Sequence, residues 1–131
     1  MIDPVAEKLR EHGIQPSKQR LAVARFVLAT GEHPSADQVL EHARAKFPSL
    51  SRATVYNTLH LFVEKGLLRE LAHAGGRAVY DPNVGPHHHF IDEATGRIHD
   101  VPWDAVRADV RGLKGYEVSE YSVVMRGKKR R

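Results

Sequence analysis

No regular element can run through Asp81-Pro82-Asn83-Val84-Gly85-Pro86. Two prolines lack the amide donor, and the glycine and the turn-forming residues between them favour irregular backbone. The run therefore divides the chain into an N-terminal domain over residues 1–81, a hinge over 82–86 and a C-terminal domain over 87–131. The last of these has only about 45 residues. That is too few to bury a self-sufficient core, so pairing with a second copy is the expected remedy.

Before the hinge, apolar spacing is helical and each segment has a start signal. Asp3-Pro4 reads as N-cap and first helical residue of a helix through Val5, Ala6 and Leu9, which Gly13 ends. Pro16-Ser17 opens a second, carrying Leu21, Ala24 and Leu28 and stopping at Thr30-Gly31. Ser35 and Gln38 have capping-box spacing for a third, with Val39, Leu40 and Ala43, finished by Phe47-Pro48. Ser51 caps a fourth whose apolar stripe is Val55, Leu59, Phe62 and Val63, with Gly66 as its stop. Leu67 to Ala72 and Arg77 to Asp81 are strand-like and are joined through Gly75-Gly76, a hairpin signal. Helices followed by such a two-stranded wing give the order of a winged helix-turn-helix.

Beyond the hinge, His87 to Asp92 and Arg97 to Val101 flank the turn Glu93-Ala94-Thr95-Gly96. Trp103, Val106, Val110 and Leu113 then recur at helical spacing, and a final strand is expected around Tyr116 to Met125. The whole is an α+β chain: an N-terminal winged helix-turn-helix followed by a small α/β dimerisation domain.

The outer face of the fourth helix presents Arg52, Tyr56 and His60 at i, i+4 and i+8, with Asn57 beside them. Such a face suits the major groove, where guanidinium groups read guanine edges or phosphates and an aromatic ring packs on a thymine methyl. Lys18, Arg20 and Arg25 on the second helix and Arg77 in the wing are candidate phosphate contacts. Net charge does not decide the matter. Twenty Lys and Arg face sixteen Asp and Glu, for a formal +4, and both domains are only slightly basic. The one basic run, Lys128 to Arg131, reads as a solvated tail.

There is no cysteine among the 131 residues, which excludes disulfides, thiolate zinc sites and thiol redox switches. Any metal must be held by nitrogen and oxygen. Nine histidines are present, three of them consecutive at 87 to 89. A four-residue turn over 93–96 pairs residue 89 with 100 and 90 with 99 in antiparallel register. His87, His89 and Asp100 then share one sheet face, while His88 and His99 share the other. Two imidazoles and a carboxylate suit divalent iron, manganese or zinc. His12, His42 and His73 read as surface residues. No apolar run approaches the roughly 20 residues of a membrane span, and Met1-Ile2-Asp3-Pro4 does not open a basic, apolar export signal, so a cytoplasmic protein without membrane partners is expected.

Several segments together resemble the ferric uptake regulator (Fur) family: His33-Pro34-Ser35-Ala36-Asp37, Gln19-Arg20, Ser51 through Leu59, Phe62, Glu64 to Leu67, and Tyr80-Asp81 ahead of His87-His88-His89-Phe90. The resemblance covers nearly the whole chain and is strongest to the peroxide-sensing PerR branch, to which Asp100, rather than glutamate, also points. It implies a dimeric, metal-dependent repressor of double-stranded operator DNA, not an enzyme. It further implies one regulatory Fe(II) or Mn(II) site per chain at His33, Asp81, His87, His89 and Asp100, with His33 and His87 the residues oxidised by peroxide.

Departures from the family pattern are equally specific. Asp92 and Thr95 stand where the first cysteine pair of the structural zinc is expected, and the basic tail stands where the second would be, so no structural zinc is expected. Arg107 and Tyr121 stand at positions of a second metal site. Alternative readings are an iron- or manganese-responsive, or haem-related, regulator of the same family without peroxide sensing, a metal-independent DNA-binding module, and a small non-haem iron enzyme using His87, His89 and Asp100.

Overall fold

A computed structural model describes residues 3–72 and 77–130. The chain divides into two compact units, Met1–Val84 and Gly85–Arg131. The first contains α1 (Pro4–Glu11), α2 (Lys18–Val27), α3 (Ala36–Arg44), α4 (Arg52–Glu64), β1 (Arg69–Ala72) and β2 (Ala78–Asp81). It is a winged helix-turn-helix. The second contains β3 (His87–Asp92), β4 (Ile98–Pro102), a 3-10 turn over Trp103–Ala105 and β5 (Val124–Gly127).

The capping signals act as the spacing predicts. Asp3, Ser17, Ser35 and Ser51 each accept a backbone N–H of the helix they precede, and the Ser35–Gln38 capping box is closed in both directions. Each such cap is worth about 1 kcal/mol. The Arg25 guanidinium bound to Asp3, with the Val5 amide, holds the Asp3 carboxyl below the usual carboxylate range. Four helices bury one apolar cluster centred on Leu9, Val23, Val27, Val39, Leu50, Val55, Leu59 and Phe62. The wing pairs β1 with β2 antiparallel, from Arg69 opposite Asp81 to Leu71 opposite Val79. The proposed Gly75-Gly76 turn and His73 lie outside the described residues.

In the second unit the sheet order is β4-β3-β5. β3 and β4 are antiparallel, with His89 opposite Asp100 and Phe90 opposite His99, the register expected from the turn. Gly96 ends that turn at φ 76, a left-handed conformation open to glycine without steric cost. The Asp92 side chain accepts the Ala94 amide, which holds its carboxyl below the ordinary range.

Two elements differ from the sequence expectation. The spacing Trp103, Val106, Val110, Leu113 does not give a helix: a single 3-10 turn ends at Val106, which is extended. Val110 and Leu113 are half exposed, and Gly112 and Gly115 take positive φ. A helix of this length is marginal in water without a surface to cover its stripe, and each interior glycine costs about 1 kcal/mol more. The final strand is likewise short. It runs only over Val124–Gly127, parallel to β3, while Tyr116 is among the most exposed large side chains.

Candidate metal centre and nucleic-acid interface

The segment before α3 is drawn onto the wing. Ser35 forms an antiparallel bridge with Val79, and the Tyr80 amide donates to the Pro34 carbonyl at 2.9 Å. Continuing that register by two residues sets His33 opposite Asp81. Their side chains meet accordingly: Nε2 of His33 is 3.2 Å from Oδ2 of Asp81, and both side chains are almost wholly buried. The Asp81 carboxylate also caps the start of the hinge by accepting the Asn83 amide at 2.9 Å. An imidazole and a carboxylate removed from water together are costly unless charge and hydrogen bonding are completed.

The second unit makes a donor group of its own. His87 and His89 lie on one face of β3 with their rings edge to face at 4.5 Å. Across the ladder, Oδ1 of Asp100 is 3.4 Å from Nε2 of His87 and 3.7 Å from Nε2 of His89. The Gly85 carbonyl, an acceptor only, lies 2.6 Å from Nδ1 of His87, so that nitrogen carries the proton. In the neutral ring, Nε2 therefore turns a lone pair toward a carboxylate oxygen. Two donors aimed at one another across 3.4 Å fit a divalent cation, and a backbone carbonyl fixing the tautomer is the usual support of a ligating histidine. The structure thus groups His33 with Asp81 in one unit and His87 and His89 with Asp100 in the other.

His88 and His99 point to the opposite face, as the alternation requires. His88 is fully buried. Its ring stacks on Trp103 at 4.7 Å and lies 6.1 Å from Tyr121, and its Nδ1 accepts the Val123 amide at 2.9 Å. Reading alternation alone assigns His88 a side of the sheet and no role. The structure makes it the pin that holds the irregular segment after β4 against β3.

On α4, Val55, Leu59 and Phe62 are fully buried while Arg52, Tyr56, Asn57 and His60 are exposed, Tyr56 to 46%. Arg52 is engaged by the Asp37 carboxylate of α3, a partner that the α4 sequence could not reveal. Lys18 and Arg77 are exposed, and Arg20 donates to the Gln15 carbonyl at 2.8 Å. Among the described residues no helix is long and apolar enough to cross a membrane.

Residues 11–126 match the model of the Ferric uptake regulator family. The chain belongs to that family. Membership makes it a metal-dependent transcriptional regulator. Curated family members it is similar to include the peroxide operon regulator of Bacillus subtilis, 33% identical over 92% of this chain and 86% of that protein. Another is the peroxide-responsive repressor PerR of Staphylococcus epidermidis, 30% identical over 91% of this chain and 81% of that one. Among solved structures, a zinc-bound manganese uptake regulator superposes with TM-score 0.72 at 21% identity, covering 97% of this chain and 99% of that one. The last of these bears on the fold alone.

Proposed function

We propose that this Fur-family chain is a homodimeric operator-binding repressor that senses peroxide through oxidation of its own metal ligands. The observation that carries the reading is the pairing of imidazole with carboxylate in both units: His33 with Asp81, and His87 and His89 with Asp100. One Fe(II) or Mn(II) per chain takes all five as ligands in this reading. Three neutral imidazoles and two carboxylates balance a divalent charge. Because the ligands come from both sides of the hinge, occupancy selects one arrangement of the two units, and a ligand shifts a population only by its differential affinity.

The residues of α4 do the rest. Arg52, Tyr56, Asn57 and His60 enter the major groove, with Lys18, Arg20 and Arg77 on phosphates. Dimerisation has support in the second unit, whose exposed apolar side chains Val110, Leu113, Tyr116, Val118 and Val124 invite cover by a second copy. Bound Fe(II) would supply the first electron to peroxide. Overall peroxide is the two-electron oxidant: its O–O bond breaks, one oxygen replaces a ring C–H hydrogen of His33 or His87, and the other leaves as water. In its keto form the oxidised ring carries a hydrogen on the nitrogen that held the ligand lone pair.

Operator binding by fluorescence anisotropy, with chelator and with added Mn(II), tests the metal requirement. Binding is expected only with metal, and equal affinity under both conditions defeats it. An iron- or manganese-responsive regulator without peroxide sensing is the reading left if metal is required and peroxide has no effect.

A further inference from the structure

Where α2 meets α3, the first unit holds a cleft of about 530 Å³. Leu21, Ala22 and Phe26 of α2 and Phe47, just past α3, give it apolar walls, and Lys18, Arg25 and Lys46 give it a cationic rim. Among the described residues no acidic side chain lines it. The sequence builds this stripe by helical spacing: Lys18, Leu21, Ala22 and Arg25 fall at i, i+3, i+4 and i+7, and His42 and Lys46 at i and i+4. Phe26 is held flat by stacking on His42, with ring centroids 4.2 Å apart and planes 9° from parallel.

The charges at the rim are unequal. Arg25 is engaged by Asp3, whereas neither Lys18 nor Lys46 has an ion-pair partner among the described residues. An apolar floor beside two uncompensated ammonium groups selects against a neutral apolar molecule, which leaves the charges unused, and against a small inorganic anion, which leaves the floor unused. The volume falls within the roughly 300–1,000 Å³ of small-molecule sites. From Lys18 to Phe26 the stripe runs about 12 Å along the helix axis, roughly the reach of a ten-carbon acyl chain.

We propose that this cleft binds a small amphiphilic organic anion, its carboxylate held by Lys18 and Lys46 and its apolar body laid along Leu21, Phe26 and Phe47. The inference is independent of the metal centre and of peroxide sensing, and of the proposed phosphate contacts it shares only Lys18.

The test is titration of the full-length protein with decanoate, followed by amide chemical shifts and calorimetry, with decanol and inorganic phosphate as comparison probes. Saturable one-to-one binding is expected, with shifts grouped on α2 and α3, and with decanol and phosphate at least tenfold weaker. Lys46→Glu, at an exposed position, and Ala22→Phe, which fills the cleft, should each weaken decanoate at least tenfold while the circular dichroism spectrum is retained. Phosphate binding as well as decanoate would reduce the cleft to a simple anion contact and overturn the proposal. Shifts centred outside α2 and α3, or indifference to both substitutions, would overturn it too.

Discussion

Nε2 of His33 lies 3.2 Å from Oδ2 of Asp81, with both side chains at 5% exposure or less. The contact follows from the bridge of Ser35 to Val79 and the Tyr80–Pro34 hydrogen bond, which draw the segment before α3 onto β2, and it supplies a buried pair of donors with a formal negative charge. Asp81→Asn keeps the size of the side chain and removes the charge. Mn(II) affinity measured by calorimetry should fall tenfold or more, about 1.4 kcal/mol or above. The metal-dependent rise in melting temperature should shrink with it. An unchanged affinity would place the metal elsewhere.

Two substitutions on α4 should separate groove contact from folding. Tyr56→Ala and Arg52→Ala remove exposed side chains from the face opposite Val55, Leu59 and Phe62, so thermal stability should hold while specific operator affinity drops by about 1–3 kcal/mol for each lost base contact. Asp37→Ala works in the other direction. It frees Arg52 from its ion pair and removes a negative charge beside the groove-facing surface, so affinity should rise, most visibly at low salt. Unchanged affinity in both loss variants would take α4 out of the groove.

Peroxide should act through the metal and not through sulfur. Fe(II)-loaded protein is expected to lose operator binding after a small molar excess of peroxide, and Mn(II)-loaded protein to resist, because only the former readily gives up an electron. Mass spectrometry should locate a single added oxygen on peptides containing His33 or His87. The chain has no cysteine, which leaves its two methionines as the competing sink. Oxygen confined to methionine, or equal inactivation with either metal, would leave a metal-dependent regulator indifferent to peroxide.

His88 gives a prediction about the second unit that needs no metal. Its ring covers Trp103, the sole tryptophan, and it accepts the Val123 amide. His88→Ala should shift tryptophan emission to the red and increase hydrogen exchange across residues 103–123. His88→Phe restores the stacking but leaves the amide without its acceptor, at about 1–3 kcal/mol. Phe should therefore recover the emission but not the full stability. Identical emission in the wild type and the alanine variant would show that the stack is not kept in solution.

What the sequence by itself determined is local. Ser35 with Gln38, Asp3 with Pro4, and Ser51 ahead of the Val55, Leu59 and Phe62 stripe act within one or two helical turns, so cap and period suffice to place four helices. The β3–β4 register is local too. A four-residue turn fixes the pairing, and His87, His89 and Asp100 follow onto one face without any knowledge of the rest of the chain. Tertiary structure decided the remainder. The meeting of His33 with Asp81 depends on Ser35 bridging to Val79 across three intervening elements, and no short-range spacing encodes it. The apolar repeat from Trp103 to Leu113 matches helical periodicity, yet it stays irregular. Periodicity states which face a helix would bury, while a partner surface decides whether burial offsets the entropy of ordering it, and Val110 and Leu113 remain exposed.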